Sequence, residues 1–307
     1  MQNHDTQANE RIHDILVGGP FSLPLMLVSV LRRVNDAVDQ VIGDEYRRLL
    51  VHRERPFLVQ VTPGDDVATL RIILRGVETP PDAADLAFAE QAIRRLFSLD
   101  HSPQAFYEQV RDEPVLGPIT RRLHGMRPVG SPSIFEMLII AVLGQQISMI
   151  AAGAIKSRLV AALGARASFD DRIYRAFPTP EAIANTSNES LLTLAFSRRK
   201  AEYVRDLAIQ VASGDLDLEA LRGREHGEIL ERLIAIRGIG RWTAEYVLLR
   251  GYGYPDALPA GDAGLRRQIM RHYQLAAPPD EAEITRRGTV WSPYRSWATL
   301  YLWNADL

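Results

Sequence analysis

Two places in the chain carry residue types and spacings from which chemistry can be built. The first is 233–251, LIAIRGIGRWTAEYVLLRG, where Gly238 and Gly240 stand two apart between two segments of helical apolar spacing. Glycines so placed let a foreign backbone come close, and the first amides of the following helix point outward with the positive end of its dipole. A phosphate suits that place, although a GxG turn also joins many helices that hold no ligand. No strand precedes it and no lysine opens the second helix, so a P-loop is disfavoured. The second place is the loop PAGD at 259–262, ending in Asp262. Its ordinary role is helix N-cap, which aspartate fills well. An isolated carboxylate can also act as a general base or stabilise positive charge developing on a reactant, and both roles require it ionised.

Other chemistries find no support. The chain has no cysteine, which excludes disulfides, thiolate zinc sites, Cys-ligated iron–sulfur clusters and a cysteine nucleophile. Its seven histidines form no HxxxH or similar close pair, and no GxSxG is present. With 36 Lys and Arg against 38 Asp and Glu, a net charge of −2 argues against wrapping a polyanion by bulk charge. A local basic excess remains, because residues 232–295 hold 10 Arg and 6 acidic groups. Most of these arginines fit a solvated surface equally well.

The elements that must position these residues read as two regions. Residues 57–62 (FLVQVT) and 67–74 (VATLRIIL) are β-rich runs separated by Pro63-Gly64-Asp65-Asp66, which predicts a hairpin. Residues 21–33 (FSLPLMLVSVLRR) suit a helix or a strand, with Pro24 early. Leu86, Ala89, Ile93, Leu96 and Phe97 recur at helix spacing, and strands become scarce beyond them. Ser133 with Glu136 predicts a capping box, and Thr179-Pro180 a helix start. At 307 residues the chain has room for two domains of roughly 100 to 200 residues each. The fold class predicted is α+β: a mixed N-terminal domain with an antiparallel sheet at 1–114, then an all-helical region at 115–307, its helix-hairpin-helix at 228–251 and its carboxylate loop at 259–264. Residues 1–10 carry no secretory pattern, and no apolar run reaches the roughly 18 residues of a membrane span, so a soluble, cytoplasmic protein is expected.

In order and spacing, GIGRWTAEY, PAGD, the terminal WSPYRSWATLYLW and the internal IIAVLGQQIS resemble the helix-hairpin-helix DNA glycosylases, specifically the AlkA-type 3-methyladenine DNA glycosylase II branch. The resemblance covers nearly the whole chain, including the strand-bearing region before 115. It implies base excision repair: flipping an alkylated purine, chiefly 3-methyladenine or 7-methylguanine, out of double-stranded DNA and hydrolysing its N-glycosidic bond. On this basis Asp262 is the catalytic carboxylate. Tyr246 and Trp303, and with them Trp242, line the base pocket, where electron-rich rings stack on a cationic base. Gly238, Gly240 and Arg241 hold the DNA backbone. Hairpin carbonyls in this family often bind a monovalent cation, but no side-chain metal site and no redox or organic cofactor is expected. Bifunctional relatives carry a lysine just after the hairpin; Trp242 stands there in this chain, implying a hydrolase without lyase activity. The family wedge falls on Gln146, where some members have leucine. Trp291 and Trp297 read as core. A nonspecific scan of duplex needs no half-site symmetry, so a monomer is expected. The alternatives are the same fold acting on oxidised or deaminated purines, or a noncatalytic helix-hairpin-helix DNA-binding protein.

Overall fold

In the computed structural model, which describes all residues except 1–8, 33–35 and 67, side-chain alternation builds a sheet in the first third of the chain. Strands β1 (Glu10–Leu16), β2 (Gln40–Ile42), β3 (Glu45–His52), β4 (Arg55–Pro63) and β5 (Thr69–Gly76) pair antiparallel in the order β1-β5-β4-β3-β2. The expected hairpin is β4–β5, with Val59 opposite Leu74 and Val61 opposite Ile72. Val67, expected at the start of its second strand, lies outside the described residues, as do His4 and most of the segment read for a leader. One face of the sheet packs Tyr46, Val59, Val61 and Ile72 against two helices. These are α1 (Leu23–Leu31), which resolves the helix-or-strand choice at 21–33, and α2 (Ala83–Leu96), which carries the predicted apolar spacing.

The rest of the chain is helical: α3 (Gln104–Gln109), α4 (Leu116–Arg122), α5 (Ile134–Gly144), α6 (Met149–Leu163), α7 (Pro180–Ala184), α8 (Asn188–Thr193), α9 (Arg198–Ala212), α10 (His226–Ile234), α11 (Arg241–Val247), α12 (Ala263–His272), α13 (Glu281–Gly288) and α14 (Arg295–Trp303). It is not purely so. Strands β6 (Arg166–Phe169) and β7 (Arg172–Arg175) form a small hairpin inside the region expected to be all-helical. Asp170 and Asp171 turn it with φ of 51° and 61°, left-handed values suited to a two-residue hairpin turn, and Phe169 and Tyr174 cover Leu49 and Leu58 on the sheet's second face. An Asp-Asp turn between four-residue strands is a weak sequence signal. Among the described residues no helix is long and apolar enough to cross a membrane.

Two helical cores meet behind the site. One gathers α5, α9, α10 and α11; the other gathers α3, α4, α12 and α14, and buries Trp291 and Trp297 as expected. Trp303 packs against both. Helix α5 is buried along most of its length and is fastened to the sheet by charge: Arg48 of β3 reaches both Asp39 and Glu136, all three buried. Ser133 caps α5 through the Glu136 amide at 3.1 Å, but the Glu136 carboxylate turns to Arg48, so the long-range ion pair displaces half of the predicted capping box. Lys156 likewise ties α6 to Asp36 at 2.9 Å. Removing one partner leaves a buried charge under-compensated. Glu136→Gln is therefore expected to lower unfolding free energy by about 3 kcal/mol in a urea titration, against about 1 kcal/mol for Ser133→Ala.

Candidate active site

Helix α10 ends at Ile234, and the chain turns through Ile236 and Ile239, both buried, before α11 begins at Arg241. Gly238 sits at φ 89°, and a Cβ there would collide with the ring of Tyr203 on α9, so glycine is required twice over. Gly240 differs: it is extended at φ −89°, and a Cβ on it would meet open space. Arg241 beside it has a side chain 73% exposed. The first amides of α11 have no intrahelical acceptor, and Gly240 supplies no side-chain cap for them. A second loop is pinned to this edge. Gln145, just past α5, donates from Nε2 to the Gly238 carbonyl and to Thr243 Oγ1, each at 3.0 Å. Lys200 Nζ holds the carbonyls of Leu143 and Gln145 at 2.7 and 2.8 Å, and burial keeps its ammonium below the usual lysine range. Gln146 stands exposed beside the hairpin with φ 58°.

Helix α11 continues without a break into a π-helical turn, Leu248–Tyr252. Trp242, Tyr246 and Arg250, spaced four apart, fall on one face of it. Trp242 and Tyr246 have ring centroids 5.7 Å apart, and Trp303, arriving from α14, lies 5.9 Å from Tyr246. The Arg250 guanidinium covers this cluster, 5.7 Å from the Tyr246 centroid and 5.1 Å from that of Trp303, with Nη1 donating to the Val129 carbonyl at 2.7 Å.

Asp262 meets the cluster from the start of α12. Its Oδ1 accepts from the Leu265 amide at 2.7 Å and from Trp303 Nε1 at 2.9 Å; its Oδ2 accepts from Trp242 Nε1 at 3.3 Å. The N-cap role is thus real, and it occupies one oxygen. Oδ2 has a single long bond and keeps acceptor capacity, since a carboxylate offers about four lone-pair directions. The loop leading to Asp262 is anchored from both helices that supply the tryptophans. Glu245 of α11 accepts from the Leu258 amide at 3.2 Å, while in α14 Ser296 Oγ accepts from the Ala257 amide at 2.9 Å and Arg295 pairs with Asp256 at 2.8 Å.

Of the residues singled out by sequence, Asp262, Trp242, Tyr246 and Trp303 come together in one cluster, and Gly238, Gly240 and Arg241 share the hairpin edge with Gln146 nearby. Sequence reasoning missed Arg250, whose spacing of four from Tyr246 was visible, and Gln145 and Glu245, whose partners lie far along the chain. Among the described residues no group of three or more His, Cys, Asp or Glu could hold a metal. The Ile236 and Gly238 carbonyls each accept one hydrogen bond and retain a second lone pair, a donor set compatible with a monovalent cation.

Residues 139–293 match the HhH-GPD family, described as the HhH-GPD superfamily base excision DNA repair proteins, and residues 16–133 match the AlkA N-terminal domain. The chain is 36% identical to a DNA-3-methyladenine glycosylase of Bacillus subtilis over 212 residues, 69% of this chain and 70% of that one. It is 29% identical to DNA-3-methyladenine glycosylase 2 of Escherichia coli over 287 residues, 94% and 95% of the two chains. Its fold matches the 3-methyladenine DNA glycosylase of Archaeoglobus fulgidus with a TM-score of 0.83 and 25% identity, covering 96% of this chain and 98% of that chain. With the hairpin, the aromatic cluster and Asp262 arranged as they are, the chain belongs to the HhH-GPD superfamily of base excision DNA repair proteins, in its DNA-3-methyladenine glycosylase family.

Proposed function

We propose that this chain is a monofunctional DNA glycosylase that flips alkylated purines, 3-methyladenine and 7-methylguanine, out of duplex DNA and hydrolyses their N-glycosidic bond. The observation that carries the reading is the Asp262 carboxylate, gripped by two indole N–H groups within an aromatic cluster at the base of a helix-hairpin-helix. A base inside a duplex is stacked and out of reach, so it must be extruded at a cost of a few kcal/mol, less when it is damaged. As the glycosidic bond breaks, positive charge develops on the sugar. A carboxylate fixed by preorganised donors stabilises that charge without having to reorient. Oδ2, with its spare acceptor capacity, is the oxygen assigned to face it.

Tyr246 lies too close to Trp242 and to Trp303 for a base to fit between it and either indole, since a third ring would need centroids about 7 Å apart, twice the ~3.5 Å carbon contact distance. The base is therefore assigned to dock against the cluster rather than between Tyr246 and either tryptophan. Gly240 supports the hairpin's part: no packing among the described residues requires glycine there, whereas a phosphate brought against the bare backbone would. The space vacated by the base is assigned to the loop beside the hairpin, with Gln146 at its apex and exposed Ile147 and Met149 supplying apolar surface. Trp242 occupies the place where a Schiff-base lysine would stand, so no strand cleavage is assigned.

One contact favours the second reading, a neutral oxidised or deaminated purine. The Arg250 charge already lies against Tyr246 and Trp303, and it disfavours a second cation on those rings.

Single-turnover assays on alkylated duplex are expected to show base release without strand nicking until alkali is added, and Asp262→Asn is expected to slow release about 1000-fold. Asparagine still caps α12 through its one oxygen but leaves the Trp242 Nε1–H without its acceptor, so unfolding free energy should fall by about 1 kcal/mol. Faster release of hypoxanthine than of 7-methylguanine in the same assay would select the neutral-base reading. Gly240→Ala is expected to leave stability within about 0.5 kcal/mol of wild type and to weaken binding to an abasic duplex about tenfold, read by fluorescence anisotropy.

A further inference from the structure

Helix α9 begins with three cations in succession, Arg198, Arg199 and Lys200, and Ser197 caps it through the Lys200 amide at 3.3 Å. The start of a helix carries the positive end of its dipole, so all three charges are misplaced for the helix's own stability. The last turn of α9, where cations would stabilise it, carries none. Lys200 is compensated: its Nζ takes the Leu143 and Gln145 carbonyls at the end of α5, which fastens the start of α9 to the loop that presents Gln146. Arg198 and Arg199 are both exposed, and neither makes a hydrogen bond or an ion pair among the described residues. The carboxylates one turn along, which would ordinarily match them, are engaged elsewhere. Glu202, four residues beyond Arg198, accepts from Arg237 Nη2 at 2.8 Å, and Asp206 accepts from Arg237 Nη1 at 2.8 Å. Arg237 belongs to the hairpin turn, and its guanidinium also covers Tyr203, 5.3 Å from the ring centroid. Tyr203 is the ring that lies against Gly238, and it stands four residues from Arg199, on the same face of α9. The two unmatched guanidinium groups thus stand at the rim where the hairpin and the Gln146 loop meet.

We propose that Arg198 and Arg199 form a second phosphate-binding point on this edge, holding the backbone of the same duplex that the hairpin grips. The proposal rests on the duplex-DNA reading and adds to it a site on α9, outside the helix-hairpin-helix. Guanidinium groups match phosphate in charge and geometry, and such contacts fix a protein's register on a duplex without reading its sequence. A solvated charged face gains from ion pairs or from the dipole; this one has neither, and a polyanion supplies what it lacks. The Ser197 cap and the Lys200 tie hold the start of α9 in place, so both charges are presented in fixed relation to the hairpin.

The test is the salt dependence of binding by the whole chain to a duplex carrying one tetrahydrofuran abasic analogue, read by fluorescence anisotropy between about 50 and 200 mM KCl. The slope of log affinity against log salt loses about 0.9 for each phosphate contact removed, so Arg198→Gln/Arg199→Gln is expected to reduce its magnitude by about 1.8 and to bind about tenfold more weakly. Arg71→Gln, which removes a sheet arginine matched by Asp14 and Asp65, is expected to leave the slope unchanged. In single-turnover base release the double variant should need about tenfold more enzyme for half-maximal rate yet reach the wild-type maximum, because the contacts are the same before and during the reaction. The substituted side chains have no partner among the described residues, so the thermal midpoint is expected not to fall. A slope reduced by less than about one in the double variant, or reduced equally in Arg71→Gln, would overturn the proposal. A wild type that binds the duplex and releases alkylated base while the double variant keeps its slope defeats this site alone. Absence of base release by the wild type defeats the glycosylase reading and leaves the comparison of slopes to decide the site.

Discussion

The site depends on one carboxylate being held from two directions at once. Trp242 comes from the helix after the hairpin and Trp303 from the last helix of the chain, and their indole N–H groups converge on Asp262. Neither helix alone could set the position of Asp262. Their relative placement is decided by two hydrophobic cores that share Trp303, and by polar ties from Glu245, Ser296 and Arg295 to the loop between them. A tryptophan N–H only donates, so it cannot compete for the carboxylate's own acceptor role, and the surrounding rings keep the pair in an apolar setting that strengthens its electrostatic effect.

The structural use of Asp262 and the chemical use proposed for it can coexist because a carboxylate has two oxygens. Oδ1 serves the fold, taking the Leu265 amide and one indole, while Oδ2 accepts a single longer bond. The hairpin divides its work in the same way. Gly238 answers to an internal demand, a left-handed turn against Tyr203, whereas Gly240 answers to none among the described residues. The hairpin edge also does not act alone, since Gln145 stitches it to the loop that presents Gln146, and α5 and α6 behind that loop are clamped to the N-terminal sheet by buried ion pairs. The sheet thereby reaches the hairpin edge through a chain of direct contacts.

Much of this was legible in sequence because it is local. The GIG turn, the β4–β5 hairpin, the N-caps and the spacing of four between Trp242 and Tyr246 all follow from neighbours a few residues apart. What was not legible depends on partners that only the fold brings together. Glu136 looked like the second half of a capping box, yet a buried Arg48 outcompeted the cap. The β6–β7 hairpin was hidden by short strands and an acidic turn, and its hydrophobic reason, Leu49 and Leu58, lies far upstream. Arg250 looked like one more solvated arginine until Trp303, from the end of the chain, closed over it.

The central claim is electrostatic: the Asp262 carboxylate favours a positively charged sugar. It is tested most directly by comparing affinity for duplexes bearing a cationic pyrrolidine in place of the damaged nucleoside with affinity for the neutral tetrahydrofuran analogue of the same shape. Transition-state mimics gain at least about 100-fold when the matching interaction is present. A preference of that order is expected in the wild type and should vanish in Asp262→Asn. Equal affinity of the wild type for the two analogues, or an undiminished preference in the asparagine variant, would contradict the account.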